Sequence, residues 1–355
     1  MQQGFDALLI GVGNYEHPRF VDLLATVRDA RALADVLTDP ERAAYPPANL
    51  RTITGPDATA ANVRAALQSL AQSTNPRSSA FIYFSGHGGR AMENGQWSTY
   101  LCPREADPDD LPNTAIFGDE FSAALAAIPA RRVLVMLDAC HAGGSAELKA
   151  ADGTAIWKSG LPEDYYESLS QGSGRVVIAS SKAEQYSHVR PQGDLSLFTY
   201  HLRDALTGRA AVRGDGLIHV LDVFHYVNEA VQADEPEQTP ILKVDDLDLN
   251  FPIAVSPAEV SEAPKTSKTA REVEGIREQI VRDPIAGAEV LSEHLDTHPD
   301  LAAKRNEVDL KRSQLEHIQH DLELFGPDPA KKAEKNRTVF YLLRVCLELE
   351  QDEKE

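Results

Sequence analysis

Five short apolar runs constrain the fold more than any other feature: residues 7–12, 50–54, 80–85, 133–138 and 176–181. Most are apolar without alternation, as strands covered on both faces should be. Helical patterns fill the stretches between them. Residues 28–37 place Ala30, Leu33, Ala34 and Leu37 on one stripe, and Thr59 stands where it can cap a helix carrying Val63, Ala66, Leu67 and Leu70. Segments 198–206 and 220–231 also have helical spacing. Strands alternating with helices predict an α/β fold with a largely parallel sheet flanked by helices.

The chain is 355 residues long, more than one small core usually holds, so two domains are expected. The α/β texture runs over 1–255. Residues 256–270 read as a linker, with Pro257, Pro264, several Ser and Thr, and no apolar period. Residues 271–355 read as a small all-α domain, broken into short helices by Pro284, Pro299 and Gly326-Pro327. The formal net charge of −20 argues against a nucleic-acid binder, which would want a basic face, and it draws cations in. Cys102, Cys140 and Cys346 are far apart and lack CxxC spacing. Neither a disulfide framework nor a zinc site is expected, and a reduced compartment follows. The N-terminus carries no basic leader, and no apolar run approaches the roughly 18 residues of a membrane helix. The expectation is a cytoplasmic protein without membrane contact.

Amide hydrolysis through a covalent intermediate needs a nucleophile, a base and donors for the oxyanion. Two buried-strand patterns end in such groups. Ala80–Phe84 leads into Ser85-Gly86-His87-Gly88-Gly89, and Val133–Leu137 into Asp138-Ala139-Cys140-His141-Ala142-Gly143. In open α/β sheets, sites form beyond the carboxyl ends of the strands. A lone His or Cys after a strand is usually structural, but both motifs in one α/β region point to a site.

These two motifs, spaced by roughly 50 residues, resemble the active-site motifs of caspase-like cysteine peptidases, most closely the bacterial metacaspase branch. The resemblance covers about residues 5–255 and includes Asn14-Tyr15, Arg28-Asp29-Ala30, the 100–103 run, Ala179-Ser180-Ser181 and Leu197-Phe198-Thr199-Tyr200. It implies Cys140 as nucleophile and His87 as the base that later protonates the leaving amine. The oxyanion hole resembles the N–H groups of Gly88 and Cys140. His141 is expected to point elsewhere. Asp138 and Asp29 stand where the family shapes its P1 pocket. Two partly desolvated carboxylates there imply cleavage after Arg or Lys and rejection of Asp; alone, Asp29 also reads as an ordinary acid at a helix start. Ser180 and Ser181 are expected on the pocket rim.

No cofactor is expected to be required. Calcium, which some metacaspases need, has approximate ligands in Glu105, Asp119 and Glu147, with Gly118 where an acid is expected; the same acids read equally as solvated charge. Segment 143–174 has little period and reads as a long loop. Lys149 and Lys158 are its basic residues, and so its autocleavage candidates; an uncut loop is the other reading. The C-terminal helices resemble effector-associated domains, small helical adaptors that pair with a matching domain on a protein partner; the plainer reading is a stabilising extension. The implied activity is a cysteine endopeptidase acting on protein or peptide with a basic P1, in a bacterial defence or cell-death circuit. A peptidase-fold scaffold recruiting partners through its tail is the alternative.

Overall fold

The computed structural model describes residues 4–93, 95–139, 147–149, 155–172, 174–182, 185–191, 193–210, 216–244, 250–255, 283–297 and 301–326, with short pieces within 272–280 and 328–349. For 93, 147–149, 155–159 and 325 only the backbone is described. The proposed linker 256–270 lies outside the described residues. The chain divides into two compact units, one of residues 1–244 with 250–259, the other of 245–249 with 260–355.

The strands of the first unit are β1 (Phe5–Gly11), β2 (Leu50–Thr54), β3 (Ser79–Ser85), β4 (Gly88–Glu93), β5 (Gln96–Leu101), β6 (Ile116–Phe117), β7 (Arg132–Asp138), β8 (Glu147–Lys149), β9 (Ala155–Ser159), β10 (Arg175–Ala179), β11 (Leu217–His219), β12 (Ile241–Val244) and β13 (Pro252–Val255). Its helices are α1 (Leu24–Thr38), α2 (Ala60–Ser73), α3 (Leu111–Thr114), α4 (Gly118–Ala126), α5 (Glu163–Leu169), α6 (Leu197–Asp204) and α7 (Val220–Asp234). The central sheet runs β12-β10-β7-β3-β1-β2, parallel except for β12. Four of the five apolar runs, in β1, β3, β7 and β10, are buried interior strands. The 50–54 run is an edge strand, and Arg51 and Thr52 face solvent.

The period of two in the strands sorts the core. Leu8, Ile10, Ile82, Phe84, Val133, Val135 and Leu137 pack in one cluster with Val63, Leu67, Leu70, Phe121, Leu125 and Tyr165 of α2, α4 and α5. The opposite parity, including Tyr83, Ser85 and Asp138, faces α1 and α6, and the Tyr83 and Thr199 hydroxyls bond at 2.6 Å. The Thr59 side chain accepts from Asn62 N at the start of α2, as its position before the apolar stripe predicts.

A second, antiparallel sheet follows the order β6-β5-β4-β9-β8. It corrects the reading of 143–174 as one irregular loop, since β8, β9 and α5 fall within that segment. β9 owes its order to pairing on β4, and β8 to pairing on β9, which no local period announces.

In the second unit α8 (Pro284–Asp296) packs against α9 (Ala302–Phe325). Asp283 caps α8 through Ala286 N, and Pro284 takes the first turn, where no N–H is needed. Gly326, at φ 82°, ends α9 in the left-handed region that glycine tolerates. Buried Ala288, Leu291 and Leu295 form the apolar stripe of α8.

Candidate active site

Strand β3 ends at Ser85, and His87 follows within two residues, buried to 7% exposure. Its ring lies against Tyr15 and Phe20, with centroids 4.7 and 5.3 Å away. His87 Nε2 lies 2.8 Å from the Val21 carbonyl oxygen. A carbonyl can only accept, so Nε2 carries the proton, and Nδ1 is the basic nitrogen of the neutral ring. The backbone is fixed as well: His87 N donates to Tyr15 Oη at 2.7 Å, and its carbonyl accepts from Cys102 N at 2.9 Å. Burial holds the Tyr15 hydroxyl well above its ordinary pKa, so it stays neutral. The Val21 carbonyl is a partner that sequence reading missed, because a backbone oxygen has no sequence signal.

Strand β7 pairs with β3 in parallel, and Ser85 stands in register with Asp138. His87 and Cys140 each follow that rung by two positions in the chain. Cys140 itself, and His141 after it, lie outside the described residues. Gly88 opens β4. A Cβ there would stand 3.1 Å from Leu161 and 3.2 Å from Ala139, so the backbone runs close against the start of the nucleophile motif.

Beside His87 lies a cavity of about 370 Å³. Its apolar wall includes Val21, Leu24 and Val189; its polar lining includes Arg28, Asp29, Ser85, Asp138, Ser187 and Ser196. Asp29 sits on α1 and is wholly buried. Its Oδ1 accepts from Ser196 N at 2.9 Å, while Oδ2 is buried without a hydrogen-bond partner. Asp138 ends β7 on the face turned toward α1. Its oxygens accept from Ser187 Oγ at 2.7 Å and Ser196 Oγ at 2.5 Å. Burial, followed by the neighbouring Asp138 charge, raises the Asp29 pKa well above the carboxylate range. Burial also raises that of Asp138, opposed by the hydroxyls around it. α1 can come this close because Gly11 lacks a side chain: a Cβ there would stand 2.3 Å from the Thr26 carbonyl oxygen.

The structure thus brings His87, Asp29 and Asp138 into one region. Ser180 and Ser181 are placed differently from the rim expected for them, for both are fully buried. Ser180 N donates to the Leu137 carbonyl and its side chain bonds to Asp138, while Ser181 Oγ donates to the Lys182 and Gln185 carbonyls and orders the chain after β10. Among the hydroxyl residues that line the cavity, Ser187 and Ser196 bond to Asp138 although they are remote from it in sequence.

The acids considered for calcium are differently employed. Glu105 Oε1 accepts from Ala60 N at 2.8 Å at the start of α2, and Asp119 lies in the first turn of α4. Gly118 brings no ligand, and even a Cβ would stand 2.9 Å from the Tyr165 ring. The Glu147 side chain lies outside the described residues. Among the described members of this set, the engaged Glu105 oxygen and the missing acid at Gly118 count against a tight calcium site. The His/Asp group with metal-ligand spacing among the described residues is His17, Asp107 and Asp109, and Asp109 is already ion-paired with Arg19. Lys149 and Lys158 lie in β8 and β9; their side chains too are outside the described residues. No helix among the described residues is long and apolar enough to cross a membrane.

Residues 6–252 match a family model described as the caspase domain. A search of curated proteins found no match. Among solved structures, a structural-genomics target from Geobacter sulfurreducens is 18% identical with a TM-score of 0.47, covering 67% of this chain and 92% of that one. Caspase-1 from Spodoptera frugiperda is 14% identical with a TM-score of 0.44, covering 68% and 88%. The Drosophila initiator caspase Dronc is 10% identical with a TM-score of 0.43, covering 68% and 79%.

Proposed function

The chain belongs to the caspase family of cysteine peptidases, and from that premise we propose that it is an endopeptidase cleaving protein or peptide after Arg or Lys. Cys140 attacks the scissile carbonyl. His87 Nδ1 takes the thiol proton and returns it to the leaving amine, while Val21 holds the ring through Nε2. The N–H groups of Gly88 and Cys140 receive the oxyanion. One observation carries the specificity: two buried carboxyl groups, one with an unpaired oxygen, line the cavity beside His87. Val21 ties cavity to base, since its carbonyl holds His87 and the same residue lines the cavity. A cation about 4 Å from one carboxylate gains about 4 kcal/mol at an effective dielectric near 20, and a P1 Asp meets the same term as repulsion. A panel of fluorogenic peptides differing only at P1 tests this. Arg and Lys should exceed Asp by at least about a hundredfold in kcat/KM, the factor that ~3 kcal/mol supplies. A preference for P1 Asp refutes it.

No metal step is part of this mechanism. The helical second unit is proposed as a homotypic adaptor that brings the peptidase to a partner with a matching domain, which suits an effector of a bacterial defence or cell-death system. The scaffold alternative predicts partner capture with no peptide hydrolysis in the same panel. Self-cleavage after Lys149 is favoured over Lys158 by sheet position. β9 is paired on both sides, by β4 and β8, so cutting after Lys158 requires opening two ladders, whereas Lys149 ends the edge strand β8.

A further inference from the structure

Asp29 and Asp138 lie far apart in the chain, yet one residue touches both. Ser196 N donates to Asp29 Oδ1 and Ser196 Oγ donates to Asp138 Oδ2; the same Oγ accepts from Thr199 N as the cap of α6. The segment before it is strapped to α1, where Arg28 donates to the Gly193 and Asp194 carbonyls. We propose that Ser196 joins Asp29 and Asp138 into a single acid pair that takes up the basic P1 side chain in exchange for a proton, which makes Ser196 a positioning residue for specificity. The inference rests on the basic-P1 reading of the same cavity.

The geometry supports the exchange. Asp29 lines the cavity yet is 0% exposed, and its Oδ2 is buried with no donor. An ionised carboxylate buried that way is costly, and a second one bridged to it through a single serine is costlier. The empty pair therefore keeps a proton, consistent with the raised values of both acids. A guanidinium or ammonium favours the ionised pair, and the proton leaves to solvent. The sign follows: affinity for a cationic guest rises with pH until the pair ionises unaided.

The other titratable groups around the pair are accounted for. Asp22, before α1, accepts from Asn14 Nδ2 and Tyr15 N. Arg28 is held by the two carbonyls named above and lowers Asp29 only as the last of its influences. On β3, burial keeps the Tyr83 hydroxyl neutral well above its ordinary value. In the loop before α6, Arg190 pairs with Asp194, and His188 is anchored by its backbone to Gln238. His87 is the remaining group, and it is separated experimentally by the choice of ligand.

The test uses full-length Cys140→Ala protein, which binds without cleaving. A peptide with P1 Arg, and the same peptide with neutral citrulline in its place, are titrated calorimetrically in buffers of different ionisation heat. Across about pH 5 to 8, the Arg peptide should release up to about one proton per guest and gain up to about tenfold in affinity per pH unit, while the citrulline peptide releases none. Any contribution from His87 appears equally with both peptides. Adding Ser196→Ala removes a donor to the Asp138 carboxylate, so the proton release should move to higher pH, and Ser196→Thr should return it. If Ser196→Ala fails to fold, the Arg–citrulline comparison alone decides. Tight Arg binding with no proton release beyond that of citrulline overturns the proposal. Equal affinity for both peptides, or stronger binding of a P1 Asp peptide, overturns the basic-pocket reading and this proposal with it.

Discussion

Gly11→Ala should disturb specificity from a position that touches no substrate. Gly11 is the last residue of β1, on the face turned to α1. An added Cβ would lie 2.3 Å from the Thr26 carbonyl oxygen, 2.9 Å from its carbon and 3.1 Å from Ala30 Cβ. Ordinary contact begins near ~3.4 Å, so α1 must retreat by about 1 Å, against backbone atoms that cannot rotate away. Such overpacking costs about 1–3 kcal/mol. At about 2–4 °C per kcal/mol, Tm should fall by several degrees. The same retreat moves Asp29, three residues after Thr26, away from Ser196 N. That bond is 2.9 Å long, and 1 Å more ends it. KM for P1 Arg should therefore rise about tenfold, the equivalent of ~1.4 kcal/mol, and P1 discrimination should shrink with it. Thermal unfolding and P1-panel kinetics on the purified variant read both effects. Unchanged Tm and unchanged P1 preference would refute the claim that the approach of α1 to β1 sets the pocket. A lower Tm with intact specificity would show that Asp29 is held independently of that approach.

Cys140→Ala and His87→Ala should each lower peptide hydrolysis by at least about 10⁴-fold, and the double variant should lose no more, because the pair acts as a unit; near-wild-type turnover in either single variant sinks the assignment. Chelation by EGTA should leave the rate within about twofold, since Gly118 and the engaged Glu105 make a poor hard-cation site; loss on chelation with recovery in calcium contradicts this. Intact-mass analysis should show the active enzyme cut after Lys149 and Cys140→Ala uncut. One uncut mass for both, under conditions where the wild type digests peptides, removes self-processing.

Much of this protein can be read from its sequence because the signals are local. Apolar runs became interior strands where burial on both faces demands it, and Thr59 capped α2 because a cap works within a single turn. The strand-end motifs drew attention to His87 and Cys140 for the same reason: a glycine-flanked residue after a buried strand is a short-range pattern. Parity along β7 even turned Asp138 toward α1, although only the structure shows that Asp29 meets it there. The rest depended on contacts between residues remote in the chain. The Val21 carbonyl that orients His87 is chemically the same as every other backbone carbonyl, so no residue type could announce it. Ser187 and Ser196, rather than Ser180 and Ser181, line the cavity because the chain after β10 folds back over Asp138, and hydroxyls look alike until that return places them. β9 exists through its pairing on β4, and β8 through its pairing on β9, since short strands gain their hydrogen bonds from a neighbour and not from their own period. Chemistry carried by side chains at strand ends was written locally; the shape, polarity and proton balance of the pocket belong to the tertiary fold, which alone brings charged and hydroxyl groups remote in the chain within bonding distance.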